Sequence, residues 1–389
     1  MPAQHQIKIK MIETMIDTRV CRRGSDDLSE EEKIDSMLRS SAGDNSNPVD
    51  TANNEILLLS GGEVGALLEG REMEILRVVR LAYEAHARHE TALPFSTFLR
   101  FPADDKNRVI ALPAYLGESF NVAGIKWISS FPNNIARQMN RASAVIILNS
   151  PQTGRPEAII EGSIISAKRT AASAALAAQQ VHGNSSETRV GLIGTGPINF
   201  EVLRFLLAAQ PQLANCVIYD LDETRANRFA EKCAAEFSNL TVESALKLED
   251  VLRSCSLVSI ATNASRPHIS DLSVCPPGST ILHLSLRDLT PEIILICDNI
   301  VDDIDHVCRA QTSVHLAEQL AGERSFIRCT LGDILTGAAP ARRDADGLTV
   351  VSPFGLGILD LAVSSLVCSL ARDQHAGTVV RSFLPDAWA

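Results

Sequence analysis

The sequence predicts an α/β protein of two domains, one built on a doubly wound parallel sheet and the other of α+β type. Three observations lead to this prediction. An apolar run over residues 190–193 is followed at once by Gly194, Thr195 and Gly196, and a helical pattern opens behind them. Apolar runs and helical patterns then alternate to about residue 305, which is typical of a parallel sheet with right-handed crossovers. Before residue 183 the patterns favour helices packed on a largely antiparallel sheet.

The turn at residues 194–196 has the order of a phosphate-binding loop, because it joins a strand to the start of a helix. Gly194 permits the tight turn, and Gly196 allows a pyrophosphate to approach the backbone. The amides and the dipole of the following helix favour an anion there. Asn199 stands where the usual Rossmann fingerprint has its third glycine, which weakens the motif taken alone.

Asp220 strengthens the interpretation of this turn as part of a dinucleotide site. It ends a second apolar run, residues 216–219, near the spacing of roughly 20 residues expected for an acid that binds a ribose 2′-hydroxyl. A carboxylate there repels a 2′-phosphate, so the sequence predicts a Rossmann-type domain that binds NAD and not NADP. The alternative is a glycine turn without function, with Asp220 as an ordinary acid at a strand end.

Composition limits the classes of protein and partner. The chain has 389 residues, enough for two or three domains of about 150 residues each. Its formal net charge of −11 argues against a nucleic-acid partner. No apolar stretch reaches the roughly 18–20 residues of a membrane helix and no signal peptide is evident, so we expect a cytoplasmic protein without a membrane partner. The nine cysteines lack any Cys-x-x-Cys spacing, so neither a metal site nor a disulfide frame is expected.

Local patterns predict the elements of the first domain in order. Residues 1–54 are polar and charged, and we expect them to form a disordered extension. A strand over 56–59 leads into a helix that Ser60 and Glu63 begin as a capping box. The elements predicted after it are a helix over 72–89, strands at 96–101, 109–112, 121–129 and 144–148, and a hairpin turn at 149–154.

An alanine-rich helix is predicted over residues 163–181, with Lys168 and Arg169 in its early turns. Cations there lie near the positive end of the helix dipole, which is unfavourable unless they face an anionic ligand. The alternative is a pair of solvated charges, since most charged side chains are exposed.

A polar linker at 183–188 precedes the alternating region. The strands predicted there are 190–193, 216–219, 240–242, 257–261, 280–285 and 294–301. A helix over 307–321 follows, and residues 350–357 are interpreted as a turn before an apolar helix over 358–371. Because that helix is expected to return to the first domain, we assign 55–182 plus 325–385 to a substrate-binding and dimerisation domain, and 183–324 to the NAD-binding domain.

Three charged residues lie in contexts that indicate chemistry. Lys126 lies in an otherwise apolar strand, as either the guard of an edge strand or a functional amine with an altered pKa. Arg100 is a similar cation, and its planar fork suits a carboxylate. Asp288 follows a predicted parallel strand, at the end where ligands bind such sheets. It is either a general acid or base or the cap of the next helix.

Residues from about 55 to 385 resemble the ornithine cyclodeaminase and mu-crystallin family. The matching pieces are Gly124-Ile-Lys126, Ala167-Lys-Arg-Thr-Ala-Ala172, the turn at 194–196, Ile260-Ala-Thr262, Ser285-Leu-Arg-Asp288 and Gly357-Ile-Leu-Asp360. The resemblance implies a Rossmann domain and a dimerisation domain built from both chain ends, and hence a homodimer. It also implies that Lys126, Arg169 and Arg100 hold a small amino-acid substrate while Asp288 handles protons or water. Arg141 is a weaker candidate for a further substrate carboxylate, with an ordinary exposed arginine as the alternative.

The turn and the resemblance together give the residues expected to bind NAD. They are Arg169, Thr170, Gly194, Thr195, Gly196, Pro197, Ile198, Asn199, Asp220, Thr262, Ser285 and Leu286.

A closer resemblance within the family is to the subgroup that forms 2,3-diaminopropionate for siderophores of the staphyloferrin B type. It is carried by residues 93–102, 110–117, 194–199 and 352–357, and the subgroup shares Asn199. It implies NAD-dependent oxidation of N-(2-amino-2-carboxyethyl)-L-glutamate and hydrolysis to 2,3-diaminopropionate and 2-oxoglutarate. The alternatives are an ammonia-releasing ornithine cyclodeaminase, a ketimine or amino-acid oxidoreductase, and a mu-crystallin-like protein that binds a dinucleotide and a small ligand without activity.

Overall fold

The computed structural model describes residues 54–183 and 188–386. The disorder expected for residues 1–54 therefore concerns a segment that lies, apart from Asn54, outside the described residues. Two sheets of eight strands each organise the described part. Within it, no helix has both the length and the apolar character needed to cross a bilayer.

The strands, numbered in chain order, are β1 (Ile56–Leu59), β2 (Thr91–Ala92), β3 (Thr97–Phe101), β4 (Asp104–Leu116), β5 (Val122–Ser130), β6 (Ala142–Asn149), β7 (Pro156–Glu161), β8 (Arg189–Ile193), β9 (Asn215–Tyr219), β10 (Thr241–Ser244), β11 (Leu257–Ile260), β12 (Thr280–His283), β13 (Asp298–Val301), β14 (Ile327–Thr330), β15 (Thr349–Ser352) and β16 (Thr378–Val380). The α-helices are α1 (Gly61–Leu67), α2 (Glu72–Ala87), α3 (Ser163–Ala177), α4 (Pro197–Ala209), α5 (Glu223–Glu236), α6 (Leu248–Ser254), α7 (Pro291–Ile296), α8 (Ile304–Val307), α9 (Ser313–Ala321), α10 (Leu331–Leu335) and α11 (Gly357–Asp373).

The first sheet is largely antiparallel, as predicted, and has the spatial order β16-β1-β7-β6-β5-β4-β2, with β3 beside β4. Strand β7, which was not predicted, pairs antiparallel with β6 and completes the hairpin that the turn at 149–154 indicated. Strand β5 lies between β4 and β6. Lys126 is therefore in the interior of the sheet, which rules out the interpretation of this lysine as an edge-strand guard.

Helix α11 returns to the first domain, as predicted. It packs on β4, β5 and β6 and against α2 and α3. Its residues from Gly357 to Ala371 are all buried, which is typical of a helix in the core of a domain. This packing carries Asp360, in the first turn of α11, into the interior beside β5.

The second sheet is parallel, with the order β10-β9-β8-β11-β12-β15-β13-β14. The chain runs outward from β8 through β9 to β10 and then crosses to β11, on the other side of β8. The strand order thus reverses between β8 and β11. The carboxyl ends of these two strands form the switch point at which doubly wound sheets bind ligands. The predicted fold class, a Rossmann-type sheet with a second α+β domain, is confirmed.

The predicted domain boundary at residue 325 is wrong, because β14 and β15 belong to the parallel sheet. β15 pairs with both β12 and β13, and β14 pairs with β13. Residues 350–352 were interpreted as part of a turn because a proline and two glycines follow within five residues. A parallel strand that is buried on both faces, however, needs only a short apolar run. The second domain therefore extends to Ser352 before the chain crosses back.

The strand predicted over 294–301 is also wrong in its first half. Thr290 and Pro291 begin helix α7, and β13 follows only from Asp298. Proline is favoured at the first helical position because the N–H that it lacks would have no partner there.

The single helix predicted over 307–321 is two helices, α8 and α9. Their N-cap residues are Asp303 and Thr312, whose side chains accept backbone N–H groups. Between them Ala310 and Gln311 have positive φ angles, which no helix can contain.

Candidate functional site

The glycine turn after β8 has the shape that a pyrophosphate requires. Gly194 has a φ of +90°, and a Cβ there would lie 2.5 Å from the carbonyl oxygen of Ala261 on the neighbouring β11 side. A Cβ on Gly196 would meet nothing within 4 Å, so the space in front of the turn is open. Pro197 begins α4 directly behind it. The residues present therefore fit a dinucleotide whose phosphates lie at the start of α4.

Asn199, which replaces the third glycine of the fingerprint, is fully buried beneath this turn. Its Nδ2 donates to the carbonyl oxygens of Ile193 at 3.0 Å and Gly194 at 2.7 Å. Its Oδ1 accepts a hydrogen bond of 2.7 Å from the hydroxyl of Ser259 on β11. The side chain thus links the turn to β8 and β11, the two strands at the switch point, and fixes the backbone that would contact the cofactor.

Asp220 lies beside the turn at the carboxyl end of β9. Its Oδ2 accepts hydrogen bonds from the backbone N–H and the hydroxyl of Thr195, at 2.8 and 2.7 Å. Burial alone would raise the pKa of Asp220, but hydrogen bonds from Thr195 and Asp222 and the charge of Arg225 outweigh it and lower the pKa. A negative charge is therefore fixed where the ribose-binding acid was predicted.

The centre of the first domain holds two cations on one carboxylate. Lys126 Nζ lies 2.6 Å from Asp360 Oδ2, and Arg169 Nε lies 3.2 Å from Asp360 Oδ1. The side chains of Lys126 and Asp360 are 2% and 0% exposed. Ser166 lies between the cations, with its Oγ at 3.3 Å from Lys126 Nζ and 3.4 Å from Arg169 Nη2. The group keeps a net positive charge, which suits a carboxylate ligand.

The environment lowers the pKa of Lys126 to about 8. Burial is the largest cause, because it penalises the charged amine, and the nearby charge of Arg169 adds to it. The carboxylate of Asp360 opposes both and raises the pKa. Lys126 therefore titrates close to neutral pH, and Asp360 keeps it protonated there.

Arg169 is held from a second side by the loop after β15. Gly355 has a φ of +95°, and a Cβ there would lie 2.5 Å from Arg169 Nη1. The buried carboxylate of Asp302 accepts the backbone N–H groups of Phe354 at 2.8 Å and Gly355 at 2.6 Å, which fixes this loop. Arg169 is thus positioned by the parallel sheet as well as by α11.

Lys168 and Arg169 have different environments, although they are neighbours in α3. Lys168 Nζ lies 3.4 Å from Glu201 and 4.0 Å from Glu72, so its charge is used in contacts between helices. The side chain of Arg169 is 11% exposed. The alternative of a solvated pair of charges is therefore wrong, and only Arg169 lies where it could face an anionic ligand. Thr170 directs its hydroxyl to the carbonyl oxygen of Ser166, inside the helix.

Asp288 follows β12 and is fully buried in a polar pocket at the carboxyl ends of β11 and β12. The hydroxyls of Thr262 and Ser285 donate hydrogen bonds to its two carboxylate oxygens. Burial alone would raise its pKa, but His283 and these two hydroxyls hold the pKa far below the usual range. Because Thr290 occupies the N-cap of α7, the alternative that Asp288 caps this helix is wrong.

His268 was not identified from the sequence and lies at the open side of this pocket. Its Nε2 is 3.3 Å from Asp288 Oδ1, and its side chain is 44% exposed. A histidine that links a buried carboxylate to solvent can pass protons in either direction. The loop that leads into Pro267 and His268 gives no such signal, because the pairing with Asp288 depends on the fold.

A second group of cations lies on the face of the first sheet that carries Lys126. Arg100 and Arg108 are direct partners across β3 and β4. Arg108 is in turn opposite Ser130, four residues beyond Lys126 on β5, and side chains four residues apart share a face. Arg100, predicted to hold substrate beside Lys126, therefore lies in this second group and not in the first.

Two further arginines complete the second group, Arg141 from the first domain and Arg287 from the second. Arg141 precedes β6 and hydrogen-bonds Asn263, which follows Thr262. It is half-buried, not the exposed arginine of the alternative interpretation. Arg287, next to Asp288, donates from Nη2 to the carbonyl oxygen of Ala310 at 2.8 Å. Leu286 holds this turn with a φ of +66°, a strained value for a residue with a Cβ.

Besides His268, three residues of this site were not identified from the sequence: Asp360, Arg108 and Arg287. Asp360 lies in an apolar helix, and a lone acid there is a signal that could have been used. Arg108 and Arg287 look like ordinary surface charges in the sequence. Within the described ranges, no group of three or more His, Cys, Asp or Glu side chains is arranged to hold a metal ion.

Comparisons with known proteins agree with this architecture. A model of the ornithine cyclodeaminase/mu-crystallin family matches residues 72–375. The chain is 27% identical over 340 residues to the N-((2S)-2-amino-2-carboxyethyl)-L-glutamate dehydrogenase of Staphylococcus aureus, covering 85% of this chain and 100% of that protein. It is 26% identical over 344 residues to the alanine dehydrogenase of Archaeoglobus fulgidus, covering 85% and 99%.

A solved structure supports the fold. The Δ1-pyrroline-2-carboxylate reductase of Thermococcus litoralis, determined in complex with NADH and L-proline, superposes with a TM-score of 0.77. The match covers 83% of this chain and 99% of that chain at 22% sequence identity, so it bears on the fold alone.

The pKa of Lys126 predicts a pH dependence. Above about pH 8 the amine loses its proton, so the apparent KM for a carboxylate substrate should rise by about tenfold per pH unit. Asp360→Asn removes the charge that raises this pKa, and the rise in KM should then begin at lower pH. Steady-state kinetics from pH 6 to pH 9 would measure the shift. Asp373→Asn, at the exposed end of the same helix, is the control, and an unchanged profile for Asp360→Asn would contradict the assignment.

The position of Asp288 predicts a loss of turnover without a loss of cofactor. Asp288→Asn should lower kcat by about 10²–10⁴-fold, the usual scale for a group that carries protons. NAD affinity should stay within a few-fold, because the glycine turn and Asp220 lie elsewhere. Single-turnover kinetics and NAD titration on the same preparation would separate the two effects. Near-normal turnover would show that Asp288 only supports the pocket.

Proposed function

The chain belongs to the ornithine cyclodeaminase/mu-crystallin family, and we propose that it oxidises and hydrolyses N-(2-amino-2-carboxyethyl)-L-glutamate with NAD. The products would be L-2,3-diaminopropionate, 2-oxoglutarate and NADH, in the cytoplasm, as a step toward a siderophore or another natural product. The name of the staphylococcal relative supports this reaction, and so do residues 93–102 and 352–357, in which the subgroup resemblance lies.

One observation carries the choice of substrate: the cleft holds many more cations than carboxylates. Lys126 and Arg169 share the single carboxylate of Asp360. Arg100, Arg108, Arg141 and Arg287 are not among the salt bridges of the described residues. The proposed substrate carries three carboxylates, whereas ornithine carries one and adds a cationic side chain. Unneutralised guanidinium groups favour the first and repel the second.

The chain's own residues divide the work of binding, orientation and proton transfer. Residues 194–196 and Asp220 would hold NAD, which when bound accepts a hydride from the substrate. Lys126 and Arg169 hold the α-carboxylate of the glutamate arm, and this hold orients the neighbouring C–H bond. Asp288 takes the proton of the water that attacks the C=N carbon. Since a carboxylate with so low a pKa is a weak base, His268 passes that proton on to solvent.

A panel of amino acids tests this function. NADH should form with N-(2-amino-2-carboxyethyl)-L-glutamate, much faster with NAD than with NADP, and 2-oxoglutarate should appear in equal amount. L-Ornithine, L-alanine and L-proline should give little or no NADH. A Lys126→Met variant, of similar length without the charge, is the control for background activity.

Other outcomes of the panel would point to other functions. Ammonia released from L-ornithine without net NADH would make the chain a cyclodeaminase. NADH from L-alanine or L-proline would make it a simpler amino-acid or ketimine oxidoreductase. NAD binding without turnover of any compound would make it a binding protein.

We also propose that the protein is a homodimer, through the face of the first sheet opposite Lys126. Leu58, Ile159, Ile147 and Ile125 are successive neighbours across four strands on that face. Trp127 lies on the same face, and both Trp127 and Leu58 are 43% exposed. Among the described residues no helix covers this face, and an apolar row of this extent on an uncovered sheet favours a second copy.

The dimer predicts a specific effect of one charged substitution. Light scattering at micromolar concentration should give twice the mass of the chain, and Trp127→Glu should shift it toward the monomer. Leu246→Glu is the matched control, since Leu246 is 92% exposed but lies in the other domain. A monomeric wild type, or a dimer that is unaffected by Trp127→Glu, would contradict this arrangement.

A further inference from the structure

We propose that Arg108 and Arg287, together with Arg100 and Arg141, form a second carboxylate-binding site that selects substrates with carboxylates on both arms. This inference rests on the proposed function and adds residues to it. In this assignment Lys126 and Arg169 take the α-carboxylate next to the reacting carbon. Arg108 and Arg287 take the carboxylates farther from it, and so determine specificity within the family.

The register of the first sheet places the two sites on one surface. Lys126 is opposite Leu112, and Ser130 is opposite Arg108, on the same pair of strands. Four residues along a strand span about 13 Å, and both side chains point to the same face. Because lysine and arginine side chains are long and flexible, a ligand of several carbon atoms can bridge the two positions. A substrate the size of alanine reaches only one of them.

The turn at Ser285-Leu-Arg-Asp288 fixes the opposite side of the second site. Leu286 has a φ of +66°, and its carbonyl oxygen accepts the N–H of Ser313 at 2.7 Å. In the sequence, Leu286 lies between Ser285 and Arg287. The hydroxyl of Ser285 donates a hydrogen bond to Asp288. Strain of this kind persists where it serves a function. The arginine that would bind a distal carboxylate and the acid that would carry a proton are therefore positioned by one turn.

The four guanidinium groups repel one another, and the described residues supply no carboxylate partner within salt-bridge distance. The buried Nε of Arg108 has no hydrogen-bond partner. Burial, followed by the charges of Arg287, Arg141 and Arg100, lowers the pKa of Arg108 to about 10. The pKa of Arg287 is lowered by burial and by Arg100, although Asp288 partly offsets this. Arg108, Arg141 and Arg287 are partly buried, whereas Arg100 is exposed. Like charges held together at partly buried positions are unfavourable unless an anion neutralises them.

This arrangement also explains which ligands the site excludes. Ornithine or lysine would bring a further positive charge toward the guanidinium groups once its α-carboxylate was bound at Lys126. A monocarboxylate such as alanine or proline would leave the second group unneutralised. Only a ligand with additional carboxylates satisfies both positions, which makes a tricarboxylic amino acid the substrate class of this cleft.

Substitution of the two new residues tests the inference. Arg108→Gln and Arg287→Gln should each raise KM for N-(2-amino-2-carboxyethyl)-L-glutamate by about 10- to 100-fold, the scale of a hydrogen bond between charged groups, with kcat within about threefold. A second substrate is the analogue in which 2-aminobutyrate replaces the glutamate unit, so that the γ-carboxylate is missing. For this analogue, the KM of at least one of the two variants should differ little from the KM of the wild type. Arg253→Gln, an exposed arginine on α6, is the control and should change neither constant.

Two further measurements keep the result interpretable. Thermal unfolding of Arg108→Gln should be unchanged or shifted to higher temperature, because the substitution relieves repulsion. A large loss of stability would assign Arg108 a structural role and overturn the inference. Equal KM values for Arg253→Gln and for the variant that carries both Arg108→Gln and Arg287→Gln would also overturn the inference.

Calorimetry with propane-1,2,3-tricarboxylate on the NAD-loaded protein separates the inference from the proposed function. If the wild type binds this tricarboxylate and the Arg108→Gln and Arg287→Gln variants lose it, the second site stands even where no NADH forms, and only the proposed function fails. If NADH forms normally and all variants bind the tricarboxylate equally, the proposed function stands and the second site is wrong.

Discussion

The site depends on one buried carboxylate that two cations share. Asp360 is 0% exposed and contacts Lys126 and Arg169 through different oxygens. Buried charges need partners, and one acid cannot fully neutralise two cations. Removing Asp360 would leave both cations buried without compensation, and replacing either cation would abolish the net positive charge. Asp360 therefore offsets part of the buried positive charge, and the charge that remains suits a carboxylate ligand. Strand β5 and helices α3 and α11 bring these three side chains together.

The contact between Lys126 and Asp360 joins the two segments of the chain that form the first domain. Lys126 and Asp360 are 234 residues apart in the sequence, and the whole parallel sheet lies between them. The chain leaves this sheet at Ser352, and the next four residues cross to α11. Within this crossing Asp302 fixes the backbone of Gly355, which lies against Arg169. Arg169, proposed to bind substrate, thus lies against the loop that leaves the sheet that would hold the cofactor.

The sequence predicted what depends on local pattern, and it failed where the answer depends on pairing between distant segments. The glycine turn, the capping box at Ser60, helix α2 and the buried helix α11 were all predicted, because periodicity and turn residues determine them. Strand β15 was not, because four residues of which only Val350 and Val351 are apolar, followed by proline, resemble a turn until β12 and β13 lie on either side. Arg108 and Arg287 were missed for the same reason. Each is unremarkable alone, and only the strand register and the strained turn at Leu286 bring them near each other.

The charge of the cleft is opposite to the charge of the protein. The chain carries a formal net charge of −11, so its surface as a whole repels anions. At physiological ionic strength, however, exposed charges are largely screened beyond about 8 Å, whereas partly buried ones are screened far less. A carboxylate that enters the cleft therefore responds mainly to Lys126, Arg169 and the four arginines beyond them. The acidic surface and the basic cleft are compatible because screening separates them. In the proposed function, the local excess of cations in the cleft, and not the net charge, determines which ligand is bound.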